Sequence, residues 1–112
     1  MNYFGTETNN AGHHMWELEG SQLYRNKMRM GDCPFNPEAL PYKKHQNGDV
    51  GYYQCFGFTI LAICGSCKDD RPGSKSIFWL EGNFTSEEMK AKILAIPIGK
   101  KIIELMPFEV RW

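Results

Sequence analysis

"VGYYQC" (50–55), Phe56-Gly57 and "FTILAIC" (58–64) read together decide the fold. Two runs rich in β-branched and aromatic residues, separated by a two-residue turn carrying glycine, form a β-hairpin. The second run is apolar at almost every position, so it is buried on both faces and sits at the centre of a sheet. "SIFWLEG" (76–82) has the same character and is its neighbour, antiparallel to it. Tyr52 and Tyr53 alternate across the sheet, which sets one of them facing outward.

Downstream, "FTSEEMKAKILAI" (84–96) is the clearest helix. Thr85 and Glu88 have capping-box spacing, and Met89, Ile93 and Ile96 recur on one face. Pro97 interrupts, and "IGKKIIELM" (98–106) resumes helical periodicity. "FEVRW" (108–112) reads as a closing edge strand, which could pair across a two-fold axis in a homo-oligomer. Upstream, "NYFG" (2–5) is a short strand, "TETNNAG" (6–12) a loop, "HHMWELEG" (13–20) a strand and "SQLYRN" (21–26) its hairpin partner. Gly31, Pro34, Pro37, Pro41, Asn47 and Gly48 punctuate residues 31–50, an excursion over the surface with one helical turn capped by Asn36. With 112 residues and one such pattern, the expected fold is α+β over residues 1–112: one antiparallel sheet with a C-terminal helical segment packed on one face.

The hydrophobic share of 42% and charged share of 23% are those of a globular protein. Thirteen basic residues balance thirteen acidic ones, which argues against nucleic acid as the partner. The start "MNYFGTETNN" lacks the cationic and apolar pattern of a signal peptide, and no run is long enough to span a bilayer. The expected location is therefore cytoplasmic, away from membranes. Cys33, Cys55, Cys64 and Cys67 are then expected as buried thiols.

The two central strands enclose the densest polar cluster of the chain, "KDDRPGSKS" (68–76). Arg71 is a planar donor suited to phosphate or carboxylate. Gly73 lets backbone N–H groups approach a ligand, Ser74 and Ser76 add hydroxyls, and Lys75 adds charge. Asp70, or its neighbour Asp69, orients Arg71 or accepts from a base or ribose. The alternative is a solvated connection in which Arg71 pairs with an aspartate for roughly 0–1 kcal/mol. The loop exceeds what a minimal hairpin turn needs, which favours a role in binding. His13 and His14 are adjacent; in a strand they lie on opposite faces, so one of them can line a pocket while the other is solvated.

Cys64-Gly65-Ser66-Cys67 spells half of a zinc site, but no second C-x-x-C accompanies it. There is no G-x-S-x-G elbow and no H-E-x-x-H. Nothing calls for a cofactor or names catalytic residues, and the reading leans away from an enzyme. A metal-binding or hydrolytic enzyme and a plain protein-interaction module are the alternatives.

"GFTILAI" followed by "DDRPGSKSIFWLEG" resembles a family of small phage and prophage proteins with no assigned activity. Its pattern runs Gly-Trp-Thr-x-Leu-Ala-Phe, then Asp-x-Arg-x-Gly-Ser-Asn-Ser-x-Phe, then a helix. The shared positions are Gly57, Thr59, Leu61, Ala62, Asp69 or Asp70, Arg71, Gly73, Ser74, Ser76 and Phe78, and "YFGTETNNAGHHMW" is similar to the family's opening through Gly12-His13. The match covers about half of the chain. Phe58 stands in place of tryptophan, Lys75 in place of asparagine, and Cys64 and Cys67 have no counterpart. The resemblance implies a phage context and a host-cell cytoplasm. Small phage proteins of this kind act by binding, which makes the expected function that of an accessory or anti-defence factor, such as an anti-CRISPR inhibitor. Its partner would be a host defence protein or a phosphate-containing small molecule such as that protein's nucleotide signal.

Overall fold

Partial burial along β4 (Val50–Cys55) and near-continuous burial along β5 (Phe58–Cys64) and the middle of β6 (Lys75–Glu81) follow from where each strand lies. The structure, a computed structural model, describes residues 4–9, 12–20, 22–27, 34–36, 39–42, 46–67 and 74–112. It adds β1 (Phe4–Asn9), β2 (Gly12–Glu19) and β3 (Gln22–Lys27), and two helices, α1 (Ser86–Ala95) and α2 (Pro97–Glu104). The six strands form one sheet in the order β3-β2-β1-β6-β5-β4. Every ladder is antiparallel. The sheet is two three-stranded meanders, β1–β2–β3 and β4–β5–β6, joined where β1 pairs with β6. The α+β architecture expected from the sequence is the one observed.

Two departures concern the N-terminal half. β1 continues to Asn9 through residues read as loop, and it is an internal strand. Thr6 and Thr8 pair with β2 on one side and β6 on the other, so pairing on both sides overrides a turn-like composition. The Pro- and Gly-punctuated excursion is also more than a surface connection. Phe35 and Leu40 are buried from it, and with Ile60, Ala62, Ile77 and Trp79 they form a core of their own on the sheet face away from the helices. Burial of the Phe35 or the Leu40 side chain is worth about 1.5–3 kcal/mol. Of the helical turn expected here, the Ala39 N–H donating to the Asn36 carbonyl at 3.0 Å is described, while Pro37 and Glu38 lie outside the described residues.

On the opposite face Trp16, Leu61, Ile63, Phe78 and Leu80 pack against Met89 and Ile93 of α1 and Ile102 of α2. Two covers explain why β5 and β6 have no polar face, and why neither Tyr52 nor Tyr53 points into open solvent. Tyr52 packs on the helix-side core and Tyr53 on the other.

α1 opens with the capping box expected from Thr85 and Glu88. Thr85 Oγ1 accepts from the Glu88 N–H, and the Thr85 N–H donates to Glu88 Oε1, each at 3.2 Å. The chain turns at Ile96, and Pro97 starts α2 at a position where its missing N–H costs nothing. "FEVRW" is not an edge strand. Phe108 and Val110 pack against the helix-side core, and only Arg111 reaches the sheet, through an isolated parallel bridge to Asp49. Its apolar side chains instead fold the tail over the edge of the sheet.

Candidate functional site

β5 and β6 end their pairing at the rung Cys64–Lys75, and the segment between them carries the candidate loop. Gly65 makes the first turn at φ +95, a backbone region that side chains avoid. A Cβ there would lie 2.5 Å from the Phe108 ring, so the tail also packs closely on this point. The Gly65 N–H donates to the Ser74 carbonyl at 2.6 Å, and the Ser76 hydroxyl donates back to the Gly65 carbonyl at 3.1 Å. Ser66, Cys67, Ser74 and Ser76 are all buried. The two stems of the loop, 65–67 and 74–76, are thus clasped to each other and buried except at Lys75. Residues 68–73, with Asp69, Asp70, Arg71 and Gly73, lie outside the described residues.

Lys75 lies between the two serines of the clasp. Its ammonium sits 5.1 Å from the centre of the Tyr42 ring, a cation–π contact. The Tyr42 hydroxyl donates to the Asp49 carbonyl at 2.6 Å. Burial, with Cys64 and Asp49 nearby, pushes the Tyr42 phenol well above its ordinary range. Burial raises the Cys64 thiol too, and Asp49 adds to this; Lys75 and Arg111 oppose it.

The Asp49 carboxylate accepts from Arg111 Nε at 3.0 Å, from Arg111 Nη2, and from the Gln46 N–H at 3.3 Å. A glycine-first bulge shapes this corner. Gly48, at φ +96, donates its N–H to the Cys64 carbonyl, while the Cys64 N–H returns to the Asp49 carbonyl.

Strand register brings the histidines to the same end of the sheet. His13 is opposite Thr8, and Thr8 is opposite Lys75. His14 is opposite Glu7, and Glu7 is opposite Ser76. Each histidine is therefore two strand spacings, about 10 Å, from the returning stem of the loop. Adjacent positions in one strand belong to opposite faces, so the His13–Thr8–Lys75 row and the His14–Glu7–Ser76 row are on different sides of the sheet.

Ser74, Lys75, Ser76, His13 and His14 are thus gathered at one end, with Ser76 engaged in the clasp. Tyr42, Asp49 and Arg111 join them without any signal in the local sequence, because their contacts span up to 62 residues of chain.

The C-x-x-C pair is divided: Cys64 closes β5, and Cys67 belongs to the helix-side core. Cys33 lies outside the described residues. Among the described residues no three His, Cys, Asp or Glu side chains gather as a metal site, and no helix is long and apolar enough to cross a membrane. No protein-family model, no curated protein and no solved structure matches the chain.

Proposed function

We propose that this chain is a small non-enzymatic binding protein that takes a phosphate-bearing small molecule, or an equivalent acidic group on a host protein, at the loop end of its sheet. The observation that carries the reading is the clasp between Gly65, Ser74 and Ser76. It anchors both ends of the charged segment, so the cost of ordering that segment around a ligand is already partly met.

In this reading Arg71 grips the phosphate with its planar fork, Gly73 contributes a backbone N–H, Asp70 orients Arg71, and Lys75 supplies nearby charge. His13 or His14 reaches the ligand from β2. Ser74 and Ser76 hold the base of the loop. The resemblance to small phage proteins supports an accessory or anti-defence role for such binding, directed at a host defence protein or its nucleotide signal.

Isothermal titration with inorganic phosphate and a panel of mono-, di- and cyclic nucleotides tests the proposal. The expected result is saturable binding that weakens with salt, falls at least tenfold in Arg71→Ala and falls less in Lys75→Ala. Binding by Arg71→Ala indistinguishable from the wild type refutes the site assignment.

A further inference from the structure

The sheet has two edges, β3 and β4, and their sequences differ. β3 carries Arg25 and Lys27, the kind of charge that discourages edge-to-edge pairing. β4 is Val-Gly-Tyr-Tyr-Gln-Cys, with neither charge nor proline. The Cys64 N–H bonds to the Asp49 carbonyl, and the rungs alternate from there. Gly51, Tyr53 and Cys55 therefore bond inward to β5, while Tyr52 and Gln54 turn their N–H and C=O groups outward.

Among the described residues no backbone group meets those of Tyr52 and Gln54. A cleft of about 320 Å³ runs beside them, lined in part by Tyr52, Gln54, Phe84 and Ser86.

We infer that β4 is the contact strand of a homodimer, pairing antiparallel with β4 of a second copy about a two-fold axis at Tyr53. The tail already bridges the edge at Asp49, which confines pairing to residues 51–55, and Tyr53 is the centre of that span. Tyr52 then faces Gln54 of the partner subunit, and each outward N–H meets an outward C=O. The seam brings no like charges together, since β4 holds none.

Two exposed large apolar side chains stand at the ends of this span, where a second copy would lie. Phe56, 57% exposed, follows one end of β4, and Trp112, 40% exposed, follows Arg111 at the other. Antiparallel pairing sets both at the ends of the seam, Phe56 stacked on Phe35 on the face away from the helices and Trp112 under the Lys90 ammonium of α1 on the helix side.

Light scattering after gel filtration tests this across a concentration series. The wild type is expected at twice the 12.9 kDa chain mass. Gln54→Ala loses the side-chain bond from Gln54 Nε2 to the Phe84 carbonyl but keeps the outward N–H, and is expected to stay dimeric. Gln54→Pro removes that N–H and is expected to run at single-chain mass with its circular dichroism retained.

In Tyr53→Cys the two sulfurs face each other across the axis, at a Cα separation of about 4.5 Å, and mild oxidation is expected to give a covalent dimer absent from the wild type. This readout stands even if Gln54→Pro fails to fold. A wild type at single-chain mass throughout, a folded Gln54→Pro that stays dimeric, or a Tyr53→Cys that does not cross-link overturns the inference. So does a monomer that instead takes up an extended uncharged peptide on this edge.

Discussion

Arg111 and Asp49, 62 residues apart in the chain, tie the C-terminal tail to the start of β4. The guanidinium grips one carboxylate oxygen through Nε and Nη2, and the Arg111 backbone N–H donates to the Gly48 carbonyl at 2.8 Å. The Arg111 side chain is 47% exposed, so solvent screens the pair. Arg111→Ala is expected to cost about 0.5–1 kcal/mol in urea unfolding, with the coupling to Asp49→Asn shrinking as salt rises. A salt-independent loss of several kcal/mol would contradict a screened surface pair.

Tyr42→Phe removes the hydroxyl that bonds the Asp49 carbonyl and is expected to cost about 1 kcal/mol at neutral pH. Its effect on alkaline stability has the opposite sign. The folded state holds the Tyr42 phenol and the Cys64 thiol above their ordinary values of 10.0 and 9.0. The unfolded chain ionises first, so stability is complete below the unfolded values and falls as pH rises from there towards the folded ones. Urea midpoints measured from neutral to strongly alkaline pH should decline, and Tyr42→Phe should decline less steeply. Equal slopes would show that Tyr42 does not contribute.

Gly65→Ala combines an unfavourable φ with a Cβ placed 2.5 Å from the Phe108 ring. The expected loss is about 2–3 kcal/mol. Phe108→Ala costs stability on its own, yet added to Gly65→Ala it should cost less than the sum, because the clash is gone. Additive thermal shifts would separate the two residues.

Thr59 connects the sheet to α1. Its buried hydroxyl donates to the Gly82 carbonyl at 2.7 Å and accepts from the Phe84 N–H at 2.9 Å. Thr59→Val keeps the shape and leaves both backbone groups without that partner, at an expected cost of about 1–3 kcal/mol. Thr85→Ala, which breaks the exposed capping box, should cost about 1 kcal/mol. Denaturant unfolding of the two variants gives the ranking, and a larger loss for Thr85→Ala would invert it.

β4, β5, β6 and α1 were legible in the sequence because their signals are local: a two-residue turn, apolar runs and a capping box. β1 was only half legible, since its Thr and Asn residues resemble a loop until β2 and β6 pair with it on both sides. Phe35 and Leu40 were hidden among prolines that spell irregular backbone but say nothing about which side chains turn inward. At the site, the charged loop and the adjacent histidines stood out by composition. Tyr42, Asp49 and Arg111 did not, because each is unremarkable beside its own neighbours and meaningful only across the fold.

Within the sheet the two meanders touch at a single ladder, β1 on β6. On the ribosome, Phe4 must wait for Trp79, its cross-strand neighbour, to be synthesised. During that interval the nascent N-terminal hairpins leave β1 unpaired on the side that β6 will take, and closing that ladder spans a long stretch of chain. Transplanting β1–β2–β3 to follow the C-terminus would move that closure to the end of translation and shorten the exposure.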